Sequence, residues 1–166
     1  MTLRALWISA LVPILLAFDL SGAALADTPL KPPADFVHET PAATVRGSVE
    51  RNRTTITQHG VPHSPTWAIP VWARFYSLSP LADAILVLNG GGNLLGSRDP
   101  DQIVMTVWYL EGDTPQARAF TLAEVMEPSD MPRTVSHYVW LDSYEPGESG
   151  WRLRLADGRQ ITVTYR

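Results

Sequence analysis

The sequence predicts an all-β fold, an antiparallel meander or sandwich of about eight strands with one short helix. Three observations carry this expectation. Apolar and polar residues alternate with period 2 in segment after segment. Asn, Asp, Gly and Pro clusters recur at the spacing of short strands. No stretch keeps a 3.6-residue period long enough for an α/β layout.

Ahead of the first strand, the 166-residue chain has the three parts of a secretory signal peptide. These are Arg4, the apolar run Ala5 to Phe18, and the small-residue site Ala24-Leu25-Ala26 before Asp27. The run is short for a membrane span, which needs roughly 20 apolar residues, and Pro13 and Asp19 interrupt it. Residues 1–26 are therefore expected to be removed on export, leaving 140 residues without a membrane span. Residues 27–41 (DTPLKPPADFVHETP) hold four prolines and show no periodicity, which predicts an extended leader. Phe36 and Val37 are the residues of this leader that could still dock on the core, and a single β domain is expected over residues 42–166.

Ala42 to Val49 and Arg53 to Gln58 are rich in threonine and valine, with Asn52 near their junction, and predict two strands. Ile69, Val71, Ala73 and Phe75 alternate with Trp72, Arg74 and Tyr76, a further strand that begins after Pro70 or lies at an edge. Ala84 to Leu88 (AILVL) is apolar throughout, which requires a strand covered on both faces, and Asn89-Gly90-Gly91-Gly92-Asn93 stops it. Ile103 to Leu110 alternates, and Glu111-Gly112-Asp113 turns it back into Gln116 to Phe120 as a hairpin. Thr121 to Met126 is the one helix: Glu124 follows Thr121 at capping-box spacing and Pro128 ends it. Val135 to Leu141 is the next strand. In the closing hairpin Trp151, Leu153 and Leu155 oppose Arg152 and Arg154, Asp157-Gly158 predicts a type I′ turn, and Ile161, Val163 and Tyr165 return on the apolar face.

Phe75-Tyr76-Ser77-Leu78-Ser79-Pro80 followed by Ala84 to Leu88 resembles the strand–Ser-Pro–strand hairpin of β-propeller blades. It departs from that pattern at Leu81-Ala82, where blades carry Asp-Gly. Val104 to Leu110 (VMTVWYL) and Val135 to Leu141 (VSHYVWL) echo one another. The stretch Ser77 to Trp140 is similar to uncharacterised exported bacterial β-rich proteins of this blade-like arrangement. The resemblance implies blade-like hairpins and brings no activity with it. A closed propeller needs at least four blades, roughly 160 residues, more than the 140 expected in the mature chain.

Composition removes several classes. With no cysteine there are no disulfides, thiolate metal sites, cysteine nucleophile or lipid-anchored cysteine. That composition suits a bacterial envelope better than the disulfide-dense small modules of eukaryotic secretion. The net charge of −4, without a basic cluster, argues against nucleic acid as a partner. No like-charge block marks a lipid-binding tail.

The candidate chemistry is sparse. His59-Gly60-Val61-Pro62-His63 spaces two imidazoles in a loop, and with His137 and a carboxylate they form a candidate zinc or copper set. Ser136 and His137 are neighbours on an expected strand and so point to opposite faces, and no G-x-S-x-G elbow is present. The glycines at 90–92 lack the lysine and the following helix of a phosphate loop. Asp99 and Asp101 lack the further oxygen ligands of a calcium loop. Asn52-Arg53-Thr54 is a glycosylation sequon, of use only in a eukaryotic secretory pathway.

Trp67, Trp72, Trp108, Trp140 and Trp151 are the unusual statistic of the mature chain. Most are expected in the core, while Trp72 and Trp108 oppose the aliphatic set and predict an aromatic platform. These observations lean away from an enzyme and toward a non-catalytic binding or accessory module, exported to a bacterial periplasm or secreted, whose partner is an envelope protein or a glycan. The expected contact residues are Trp72, Trp108, Trp140, Tyr144 and Asn93, with the loops Gly90 to Asp101 and Ser136 to Gly150. The second reading is a metal-binding or metal-dependent protein using His59, His63 and His137 with zinc or copper.

Overall fold

The computed structural model describes residues 30–63 and 65–165, so the expected signal segment 1–26 lies outside the described residues. The first sheet is built from β1 (Phe36–Glu39), β2 (Ala43–Ser48), β3 (Arg53–Gln58) and β4 (Thr66–Ile69), each antiparallel to the next. Alternation decides which side faces in. Val45, Ile56, Trp67 and Ile69 are buried on one side, while Arg46 and Arg53 stand in solvent on the other. The end of the expected leader is thus a strand. Asp35 Oδ1 accepts the Val49 N–H at 2.7 Å, and Trp72 Nε1–H donates to the Ala34 carbonyl at 3.2 Å, fixing the approach to β1.

The expected strand from Ile69 to Tyr76 is broken. β4 stops before Pro70, which has no amide hydrogen for a ladder. Side chains of the β2–β3 hairpin then take over the backbone: Asn52 Oδ1 accepts the Trp72 N–H, and Thr54 Oγ1 accepts from Ala73 and donates to Val71. The chain crosses there to the second sheet. That sheet runs β5 (Phe75–Leu78), β6 (Ala84–Leu88), β8 (Ile103–Glu111), β9 (Thr114–Thr121), with β7 (Leu94–Leu95) set aside from it.

All five residues of β6 are buried, as the unbroken apolar run requires. Ile85 and Val87 pack against the first sheet, while Ala84, Leu86 and Leu88 pack the opposite way. The second sheet is therefore a middle layer. Fully burying an aliphatic side chain contributes roughly 1.5–3 kcal/mol, and this strand does so on both faces.

α1 (Leu122–Val125) follows β9, and the Glu124 carboxylate accepts from the Thr121 N–H at 2.7 Å and its hydroxyl at 3.1 Å. A 3₁₀ turn covers Pro128–Asp130. The third layer is β11 (Leu141–Gly147), β12 (Gly150–Leu155) and β13 (Gln160–Thr164), whose Trp151, Leu153, Leu155 and Val163 close the larger core over the middle sheet. Strands total thirteen among the described residues, against the eight expected, because short pieces such as β7 and β10 (Tyr138–Val139) also pair. The expected strand Val135–Leu141 is interrupted. Thr134 and His137 close a turn, with the Thr134 N–H and hydroxyl both donating to the His137 carbonyl; Tyr138–Val139 then pairs with β7, and Leu141 already belongs to β11.

The closing hairpin forms in the expected register, with Trp151 opposite Val163 and Leu153 opposite Ile161. Its turn differs. Gly158 has φ 89° but Asp157 does not enter positive φ, so the type I′ expectation is replaced by a turn closed from the Gly158 N–H to the Leu155 carbonyl. The Asp157 carboxylate selects this form by accepting the Arg159 N–H at 2.9 Å. Among the described residues no helix is long and apolar enough to cross a membrane.

Candidate functional site

The aromatic platform does not form. Trp140 is fully buried, and its Nε1–H donates to the Gly92 carbonyl at 2.9 Å. Trp108 is half-buried against the core shared with the first sheet. Alternation along β8 does separate Trp108 from Val107, but both faces of the middle sheet are covered, so opposition to an aliphatic set leads to a second core. Trp72 lies in the linker after β4, half-buried, its ring edge-on to Phe36 at 6.4 Å. Tyr144 is half-buried against the larger core. Buried Trp67 and Trp151 donate to the Ala82 carbonyl and to Ser77 Oγ, as large rings with one polar atom must.

Nor do the histidines assemble. His59 and His63 lie exposed in the β3–β4 loop, and His59 Nε2 is 2.9 Å from Thr44 Oγ1. His137 sits in the turn before β10, Nδ1 2.8 Å from Ser136 Oγ. Among the described residues no group of three or more His, Asp or Glu side chains is arranged to hold a metal. The zinc or copper set is therefore corrected. The Ser136–His137 contact corrects a second expectation: these neighbours are in a turn, not a strand, so their side chains meet.

The loops Gly90 to Asp101 and Ser136 to Gly150 do come together. β7 pairs with β10, Leu94 opposite Val139. The Trp140 N–H donates to the Asn93 carbonyl at 3.2 Å, and Asn93 Nδ2 donates to the Leu141 carbonyl at 3.3 Å. Arg98 donates to the Met131 carbonyl at 2.9 Å and lies 4.5 Å from the centre of the Tyr138 ring.

Beside this junction lies a cavity of about 400 Å³ whose polar groups are Asn93, Asp142 and Arg154. Its geometry comes from a bulge. Leu141 pairs with Leu155 and Ser143 with Arg154, leaving Asp142 as the extra residue on β11. A bulge re-aims the side chain it displaces. Here the Asp142 carboxylate lies 3.3 Å from Arg154 Nε, both side chains more than half exposed. Pro132 and Val139 supply an apolar wall.

The cavity offers a carboxylate acceptor, a guanidinium donor and the Asn93 amide, all at near-neutral net charge. Next to it, burial raises the Asp157 carboxyl, but the Arg159 N–H and guanidinium outweigh that and hold it below its ordinary value. Of these groups the sequence singled out Asn93 for binding. Arg154 read only as the outer face of a hairpin. The one signal for the bulge is the break of alternation at Leu141-Asp142-Ser143.

Fold and site together define an all-β chain of three stacked antiparallel layers with a small polar cavity at a loop junction. No protein-family model, curated protein or solved structure matches the chain.

Proposed function

We propose that the chain is an exported, non-catalytic binding module of a bacterial envelope that takes a hydroxyl-rich sugar unit of a glycan between Asn93 and the Asp142–Arg154 pair. The observation that carries this reading is the bulge at Asp142, which sets a carboxylate and a guanidinium side by side at a cavity edge. Adjacent sugar hydroxyls donate to one and accept from the other, and the Asn93 amide adds a third polar contact. A volume of about 400 Å³ lies within the range of small-ligand sites. The sequence supports export through the Arg4, Ala5–Phe18 and Ala24-Leu25-Ala26 pattern. The blade-like hairpin resemblance belongs to the same reading and adds no chemistry.

Calorimetry of the protein against soluble cell-wall glycan fragments tests the proposal. Binding that weakens about tenfold in Asn93→Ala and in Asp142→Asn supports it. Absence of binding to every fragment, or capture of an envelope protein by a surface untouched by these substitutions, overturns it.

A further inference from the structure

Ten arginines fall among the described residues, and seven have a partner there. Arg152, Arg154 and Arg159 pair with Glu145, Asp142 and Asp157. Arg74 and Arg98 donate to the Lys31 and Met131 carbonyls, and Arg118 and Arg133 lie over the Phe120 and Tyr138 rings. The remaining three, Arg46, Arg51 and Arg53, make no ion pair, side-chain hydrogen bond or ring contact among the described residues. All three line one cavity of about 450 Å³ on the outer face of the first sheet.

The register explains the convergence. Arg46 lies opposite Thr55 and Arg53 opposite Ser48 on adjacent strands, so the two arginines are diagonal neighbours about 7–8 Å apart on one face. Arg51 comes from the hairpin turn that joins those strands. The carboxylate in the wall, Asp35, is already engaged by the Val49 N–H at 2.7 Å. Ser48 and Thr55 add hydroxyl donors. A chain of net charge −4 has no general field to attract anions, so three guanidiniums left together at one spot are a local arrangement.

We propose that this cavity binds an oxyanion, the phosphate or carboxylate of an organic molecule about one ring in size. Guanidinium forks match the paired oxygens of both groups, and arginine is the side chain suited to them. The site is separate from the Asn93 cavity, so either can fail without the other.

The test titrates the protein with inorganic phosphate, glucose 6-phosphate and glucuronate at low salt. Heats are followed by calorimetry and the Ser48 and Thr55 amides by NMR. The expected result is saturable binding of at least one probe, weakened about tenfold in Arg46→Gln and in Arg53→Gln, weakened by salt, and unchanged in Arg152→Gln. These side chains are exposed, so unchanged melting temperatures show that the variants are folded. Tighter binding of glucose 6-phosphate assigns the site to phosphate, and tighter binding of glucuronate to carboxylate. Failure of all three probes to move the Ser48 and Thr55 amides overturns the proposal, as does equal affinity in the arginine variants.

Discussion

The ring of Phe36 lies over Gly47, its partner in the β1–β2 ladder, in the space that a Cβ at Gly47 would occupy. From there Phe36 stacks on Tyr76 at 5.8 Å and meets Trp72 edge-on. One missing methyl group thus lets the end of the leader lock onto both the linker and the middle sheet.

Gly47→Ala is expected to destabilise the protein by about 1–3 kcal/mol, the usual range for overpacking, because Phe36 must leave its place between Tyr76 and Trp72. The backbone at Gly47 is not in the left-handed region, so the cost is steric and conditional on the ring. Urea denaturation of Gly47→Ala, Phe36→Ala and the double variant checks this. In the Phe36→Ala background the glycine substitution should cost close to nothing, and full additivity would refute the account.

What could be read from the sequence was what is local. Five consecutive apolar residues closed by Asn89 and three glycines point to a short strand with two covered faces, and β6 is one. Thr121 and Glu124 are three residues apart and cap their helix as spaced. The misreadings are non-local. Alternation says that Trp108 and Val107 face opposite ways, but not that a sheet covers each. Pro70 marks a break, yet the length of the break is set by Asn52 and Thr54, side chains on another hairpin. The two cavities were hidden for the same reason. Asp142 meets Arg154 only through a bulge, and Arg46 meets Arg53 only through register.

Stability should fall with acid through Glu124. Hydrogen bonds from the Thr121 N–H and then its hydroxyl hold this carboxyl below its ordinary value of 4.5. A folded-state value below the unfolded one means that the stabilisation is present above 4.5 and is lost as pH falls below it toward the depressed value. Denaturation midpoints of the parent chain and of Glu124→Gln should therefore converge as pH drops through that window. A gap that persists at the acid end would refute the assignment.

Trp140→Phe should cost about 1–3 kcal/mol although an aromatic ring remains, because the Gly92 carbonyl then loses its donor inside the core. The effect should be centred on the β7–β10 pair, since the Trp140 N–H to Asn93 bond lies in the same junction. Hydrogen exchange checks this: the amides of Leu95 and of residue 140, whose N–H meets the Asn93 carbonyl, should lose protection before those of β6. Uniform loss across both regions would show that the bond supports the whole core instead.

A chain beginning at Ala42 omits β1 and with it Phe36, the Asp35–Val49 bond, the acceptor of the Trp72 indole and the His38–Tyr76 contact at 2.9 Å. Removing a packed aromatic side chain alone costs about 3 kcal/mol. For a domain of this size each kcal/mol shifts the melting temperature by about 3–4 °C, so the shortened chain should melt at least roughly 10 °C below one beginning at Asp27. The loss should also expose the β2 edge, whose amides then have no partner on that side and become sites of association between chains. Calorimetric melting combined with light scattering on the two chains measures both effects. Equal melting temperatures and equal scattering would refute a stabilising role for β1.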